Sequence, residues 1–281
     1  HPPETIPELV DALEAGADFA LGSRYAGGST DEAWGLFRWV NSQVATWLAR
    51  PFTKVKDPMS GFFALHRATV DAAAELNPIG YKIGLELLVK CRCRNVVEVP
   101  IHFSQRFRGE SKLTLAEQLR YLDHLRRLFL FKFGNWGHFF LFAAVGTSGV
   151  FVNLAVLTVL VWLGVSVEAA VAVAIFTAML SNFALNRRFT FCYARDGSLW
   201  RQLVGFVGAS SFGAGVNYAT VLSLLHAWPV LERVPQAASL VGILAGLTFN
   251  YFVSRYFVFV KPRRERIEEH EQTRAEEKDE R

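Results

Sequence analysis

Apolar positions change their spacing along this chain. Over Glu4–Ala15, Ile6, Leu9, Val10 and Leu13 recur at helical intervals, and Gly16 then closes the pattern. Asp18–Gly22 is a short apolar run that predicts a strand, followed by the flexible Gly27-Gly28-Ser29-Thr30 loop. A helix is predicted over Glu32–Ala49, carrying Arg38 and Ser42 one turn apart. A turn at 57–61 then leads into a strand over Phe62–His66. Ala68–Glu75 and Leu85–Cys93 read as helices, and Val96–Phe103 alternates like a strand. From 115 to 129 the leucines at 115, 119, 122, 125 and 128, with Phe129, line one side of a helix; Glu117, Arg120, Asp123 and Arg127 line the other. A basic amphipathic helix of this kind either lies on the inner surface of a membrane or packs as an ordinary helix on the polar half.

Beyond it the apolar runs lengthen. From Phe133 to Asn186 the only charged side chain is Glu168, and from Gln202 to Val260 the only ones are Glu232, Arg233 and Arg255. A span needs roughly 20 helical residues. Four are predicted, at His138–Leu163, Val167–Leu185, Leu203–Leu225 and Gln236–Phe257. Arg120, Arg126, Arg127 and Lys132 precede the first. Arg187, Arg188, Arg195 and Arg201 lie between the second and third, and Lys261, Arg263, Arg264 and Arg266 follow the fourth. This bias places both termini and the polar half in the cytoplasm. It also turns the net charge of +4 into a membrane signature rather than one of nucleic-acid binding.

The spans contain a repeat. Phe142–Asn153 echoes Phe206–Asn217, and Ser181–Phe191 echoes Phe249–Phe259, so two-span units follow each other in parallel. Glycines and serines such as Gly149, Ser210 and Gly213 permit close helix contact. Asn153, Asn182, Asn217 and Asn250 either hydrogen-bond between helices or line a polar path for a lipid headgroup. The G-x-x-G-x-x-x-N entry and the N-x-x-x-N-R-x-[FW]-T-F exit resemble the GtrA-like membrane domain, implicated in moving or presenting polyprenyl-linked sugars. The second exit is looser, with Ser254 and Val258 in place of Asn and Thr.

Composition adds little beyond this division: 51% of the 281 residues are hydrophobic. Cys91, Cys93 and Cys192 make no disulfide framework and read as reduced thiols. His1 is not an initiator Met, and His1-Pro2-Pro3-Glu4 reads as an entry cut from inside a domain.

Chemistry must come from the loops of the polar half. Arg24, Arg38 and Arg108 sit beside turns on different elements. They are either unrelated surface arginines or guanidinium groups converging on phosphate oxygens. Asp57, in the Asp57-Pro58-Met59-Ser60-Gly61 turn, either caps local backbone or handles sugar hydroxyls and an attacking oxygen. No P-loop and no H-E-x-x-H occurs.

Five segments in register, at 1–4, Gly22–Tyr25, Asp57–Phe63, Asn77–Lys82 and Arg108–Leu113, resemble the dolichol-phosphate mannosyltransferase family of GT-A-fold, inverting family 2 glycosyltransferases. The resemblance implies four parts: a partial α/β GT-A-like catalytic domain at 1–112, an interfacial amphipathic helix at 113–133, an all-α four-span membrane domain at 134–260, and a charged tail at 261–281. It implies GDP-mannose as donor, polyprenyl or dolichyl phosphate as acceptor, and Mg²⁺ or Mn²⁺ as cofactor. The family's D-x-D metal sequence would fall immediately upstream of His1. Arg24, Arg38 and Ser42 match positions expected to hold the acceptor phosphate. Arg108 and Lys112 match a loop over the donor diphosphate, and Asp57 matches an acid at the reaction centre. The alternatives are a glucosyl- or aminosugar-transferring relative, and a lipid-linked sugar transporter with a degenerate soluble domain.

Overall fold

The computed structural model describes residues 2–27, 36–74, 76–77, 79, 83–101, 115–233 and 235–260. The chain divides into two compact units, His1–Gly134 and Asn135–Arg281.

The first unit is built on three strands. β1 (Phe19–Ser23) lies between β2 (Phe63–Leu65) and β3 (Val96–Pro100), antiparallel to the first and parallel to the second. All of β1 is buried, and its alternation assigns the two faces. Phe19 and Leu21 pack against Leu87 and Leu88 of α4 (Ile83–Lys90), whereas Ala20 meets Leu9 of α1 (Ile6–Glu14). Gly16 ends the α1 turn with φ 98°, a conformation that glycine adopts without strain.

Two predicted helices are shorter than their apolar pattern. α3 covers only Arg67–Asp71, because the chain then turns to bring the Asn77 N–H to the buried Glu86 carboxylate at 2.6 Å. α4 stops at Lys90, where Arg92 takes a left-handed φ of 53°. Both strands predicted around them shorten as well: β2 leaves His66 just outside it at the start of α3, and the described part of β3 ends at Pro100. α2 is described over Leu36–Ala49.

The predicted amphipathic helix begins α5 (Leu115–Trp162), which is interrupted at Gly134 by non-helical φ/ψ of 51° and −121°. Its apolar side divides. Tyr121, Leu125 and Leu128 are buried against Ala49 of α2 and Leu85 and Val89 of α4, while Leu119 is 58% exposed and Leu122 is also exposed. Among the described leucines of this row, Leu119 and Leu122 are the exposed ones, and Leu115 has its side chain outside the described residues. α2 shows a second apolar face that its sequence pattern did not single out, with Trp39, Val40, Val44 and Trp47 exposed.

In the second unit α6 (Val167–Leu185), α7 (Leu199–Ala227) and α8 (Pro235–Val253) follow the remainder of α5. Three described helices are long and apolar enough to cross a membrane: Ala116–Trp162, Ala169–Thr190 and Ala237–Val258. The predicted third span, 203–225, is helical within α7, but its serines, glycines and Asn217 leave it outside that set. The repeat is visible in the backbone. α6 ends in a π-helical turn at Asn186–Thr190 and α8 in another at Ser254–Val258. In each, the first carbonyl accepts an N–H five residues on, from Phe191 and Phe259 respectively, both at 2.8 Å. The two phenylalanines are fully buried and stack on each other, centroids 4.7 Å apart.

Among the asparagines, Asn250 donates to Ser210 Oγ across α7 and α8 at 3.3 Å, the interhelical role. Buried Asn182 Oδ1 has no hydrogen-bond partner among the described residues, and the amide packs where a Cβ on Gly149 would lie. Cys91 and Cys93 are free thiols, and burial pushes the Cys93 thiol up to about 11.

Candidate active site

β1 delivers Ser23 and Arg24 to its C-terminal end, where α/β sheets present ligand sites. The turn that faces them is fixed by close approach. Ser60 Oγ donates to the Gly22 carbonyl at 2.6 Å and accepts the Phe62 N–H at 3.2 Å. A Cβ on Gly22 would lie 2.6 Å from the Phe62 ring, so glycine is required there.

This packing brings Arg24 onto Asp57. The guanidinium donates from Nε to Oδ2 and from Nη2 to Oδ1, each at 2.6 Å, and the Arg24 backbone N–H donates to Oδ2 at 3.1 Å. The fork geometry is that of a bidentate arginine–carboxylate pair. Asp57 is fully buried and the Arg24 side chain is 20% exposed. Burial opposes the Arg24 charge, but the hydrogen bond and attraction of Asp57 outweigh it and hold the guanidinium above the ordinary arginine range. Beside it, the Arg24 guanidinium lies 5.6 Å from the centroid of the Tyr25 ring, and the Tyr25 hydroxyl shares a 2.9 Å hydrogen bond with Ser42 Oγ on α2. Tyr25 thus links Arg24 to Ser42.

The structure therefore brings together three of the residues expected at the site: Arg24, Asp57 and Ser42. Arg38 lies on α2 one turn before Ser42, and its side chain falls outside the described residues. Arg108 and Lys112 also lie outside them. Residues not anticipated are Tyr25, Ser60 and Glu98. Tyr25 and Ser60 sit within motifs already singled out. Glu98 is a polar position on an alternating strand, and nothing local marks its contact with a loop about 40 residues earlier.

The transmembrane family described as "GtrA/DPMS, transmembrane domain" matches residues 141–269. A dolichol-phosphate mannosyltransferase of Pyrococcus furiosus is 40% identical over 260 residues, covering 91% of this chain and 72% of that protein. The chain belongs to the dolichol-phosphate mannosyltransferase family. It is therefore a member of a glycosyltransferase family with a GtrA-like membrane domain. Two further relatives extend the likeness. A dolichol-phosphate mannosyltransferase of Saccharomyces cerevisiae is 43% identical over 142 residues, 48% of this chain and 53% of the relative. A polyprenol monophosphomannose synthase of Mycolicibacterium smegmatis is 33% identical over 143 residues, 49% of this chain and 51% of the relative. The chain thus spans about half the length of these two, whereas the Pyrococcus furiosus alignment reaches across both halves of the chain.

Proposed function

We propose that the protein containing this chain transfers mannose from GDP-mannose to a polyprenyl or dolichyl phosphate at the cytoplasmic face of a membrane, with inversion at the sugar. The observation that carries the proposal is the buried Arg24–Asp57 pair beside Ser42, in a chain aligned over 91% of its length with a dolichol-phosphate mannosyltransferase. An oxygen of the lipid phosphate attacks C1 of mannose. The new C1–O bond forms as the bond from C1 to the GDP β-phosphate oxygen breaks, and GDP leaves. A phosphate is already ionised near neutral pH, so the attack needs positioning more than a general base.

The chain's residues supply that positioning. Arg24, Arg38 and Ser42 hold the acceptor phosphate. Asp57 spends its hydrogen bonds on Arg24, which makes it the positioning residue that fixes the guanidinium plane. Arg108 and Lys112 close on the donor diphosphate. The exposed apolar faces of α2 and of the first part of α5 suit a membrane surface, where the acceptor phosphate resides.

Mg²⁺ or Mn²⁺ belongs to the proposal through the family resemblance. Among the described residues, no three His, Cys, Asp or Glu side chains gather to ligate an ion, and Asp57 is engaged by Arg24, so the described residues do not by themselves form a metal site. The test is transfer from radiolabelled GDP-mannose to polyprenyl phosphate by the full-length protein in nanodiscs, with and without EDTA and with UDP-glucose as rival donor. Mannosyl lipid formed only with Mg²⁺ or Mn²⁺ is the expected product. Glucosyl lipid in its place would assign the glucosyl alternative. Lipid-linked sugar moved across the bilayer without any transfer would assign the transporter.

A further inference from the structure

The loop that presents Asp57 has no regular structure of its own. Backbone groups there still need partners, and two side chains of opposite charge supply them. Glu98, on β3 directly across from Leu21 of β1, accepts the Lys56 N–H at Oε2, 2.9 Å away, and the Asp57 N–H at Oε1, 3.2 Å away. Arg50, just past α2, donates from Nη1 to the Lys54 and Val55 carbonyls, both at 3.1 Å. Thr53 Oγ1 takes the Val55 N–H at 3.2 Å. One carboxylate therefore holds two N–H groups of the loop, at 56 and 57, while one guanidinium holds two of its carbonyls, at 54 and 55.

We propose that Glu98 is a positioning residue for the acceptor site: it fixes the Lys56–Asp57 backbone, and through Asp57 the plane of Arg24. The proposal rests on the mannosyl-transfer reading for its kinetic arm only. Glu98 is suited to this role because consecutive N–H groups at 56 and 57 each take one of its oxygens, and a carboxylate binds both at once where a neutral amide offers one acceptor. Asp57 itself carries one of those two N–H groups. A shift of the loop thus moves the Asp57 carboxylate directly, and a 1 Å misplacement at a reacting centre costs on the order of 100-fold in rate.

The test uses the full-length protein in nanodiscs with Glu98→Gln, Glu98→Asp and Asp57→Asn, alone and combined. Hydrogen exchange of the 53–60 segment is followed by mass spectrometry beside acceptor kinetics. Glu98→Gln should speed exchange at 56–57 several-fold and lower acceptor kcat/KM about 10- to 100-fold, leaving donor affinity near wild type. Glu98→Asp keeps the charge on a shorter arm and should recover part of both losses, which keeps the test open if the Gln variant folds poorly. In the Asp57→Asn background, Glu98→Gln should add less than about threefold, since both act through one path. Equal losses in both backgrounds would overturn the proposal, as would unchanged exchange at 56–57 or unchanged acceptor kinetics. If the wild-type protein transfers no mannose, the functional reading fails, and the exchange arm alone then decides whether Glu98 holds the loop.

Discussion

Removing one partner of the Arg24–Asp57 pair should cost far more on one side than on the other. Asp57 is fully buried, so Arg24→Met leaves its carboxylate, among the described residues, with the Arg24 backbone N–H at 3.1 Å as its one partner. An uncompensated buried charge of this kind costs about 3–5 kcal/mol. Asp57→Asn instead leaves a guanidinium that is 20% exposed and still faces an amide oxygen. The loss is then nearer that of one charge-assisted hydrogen bond, about 1.5–3 kcal/mol. Arg24→Met combined with Asp57→Leu removes both charges and should be milder than Arg24→Met alone, since replacing a buried pair by apolar groups is often near neutral. For a unit of this size, 1 kcal/mol moves Tm by roughly 3–5 °C. Arg24→Met should therefore lower the unfolding midpoint of the first unit by about 10–20 °C and Asp57→Asn by about half that. The assay is temperature-dependent proteolysis of the full chain in nanodiscs, scoring cleavage within the first unit. If Asp57→Asn cost more than Arg24→Met, or the double variant were the worst of the three, the buried-pair reasoning would be refuted.

Other perturbations probe separate parts of the molecule. Asp18 accepts the Arg94 and Asn95 N–H groups, both at 2.9 Å, and these bonds hold its carboxyl below the ordinary value. A lowered folded pKa gives stabilisation that is whole above the unfolded value of about 3.9 and is lost as pH falls through the folded one. Wild type should unfold at a higher temperature than Asp18→Asn near pH 6, and the gap should narrow progressively as pH falls below the unfolded value. A gap that does not narrow with falling pH would contradict the assignment. In the second unit a Cβ at Gly246 would sit 2.5 Å from the Gly213 carbonyl oxygen, whereas one at Gly215 meets nothing within 4 Å. Gly246→Ala should thus destabilise by about 1–3 kcal/mol in thermal unfolding, with Gly215→Ala close to neutral. The charge bias predicts that cysteines introduced near 168 and 232 are labelled from outside intact cells, and that one near Asp196 is not. Labelling in the opposite sense would reverse the topology.

What could be read from sequence was local. The apolar Asp18–Gly22 run, the helix break at Gly16 and the G-S-R turn are each set by residues adjacent in the chain, and β1 with Arg24 at its end follows from them. The bidentate pairing of Arg24 with Asp57, 33 residues later, does not, because it depends on Ser60 drawing the Asp57 turn against Gly22. Glu98 was hidden for the same reason. Periodicity also reports which positions are apolar and not which of them find cover. In α2, Ala49 is buried while Trp47 is 71% exposed, and in α5 the leucine row splits between Leu125 and Leu119.

The membrane half shows which letters of a motif carry structure. In the two copies of the exit sequence, Asn186 and Ser254 differ, yet each supplies the same backbone carbonyl to the same π-helical turn. A carbonyl is common to every residue, so the turn itself accepts serine there, and Ser254 Oγ also donates to Asn250 Oδ1 at 3.2 Å. Thr190 and Val258 are similar in shape and close their turns alike. Two letters that do not change, the arginine and the last phenylalanine, have side chains that act in both copies. Arg187 Nε donates to Gln202 Oε1 at 2.8 Å, and Arg187 also reaches the Arg195 and Gly197 carbonyls; Arg255 Nη2 donates to Asn135 Oδ1 at 2.6 Å. Each arginine thereby ties the end of one helix to residues at or just before the start of another. Phe191 and Phe259 fill the centre against each other, with Phe142 and Phe206, themselves equivalent in the two copies, packed in the same cluster. The looser second copy is therefore no weaker as a structural element. The departure between the copies that carries chemical meaning lies among the amides, where Asn250 Oδ1 accepts from Ser254 Oγ at 3.2 Å and the equivalent Asn182 oxygen has no partner among the described residues.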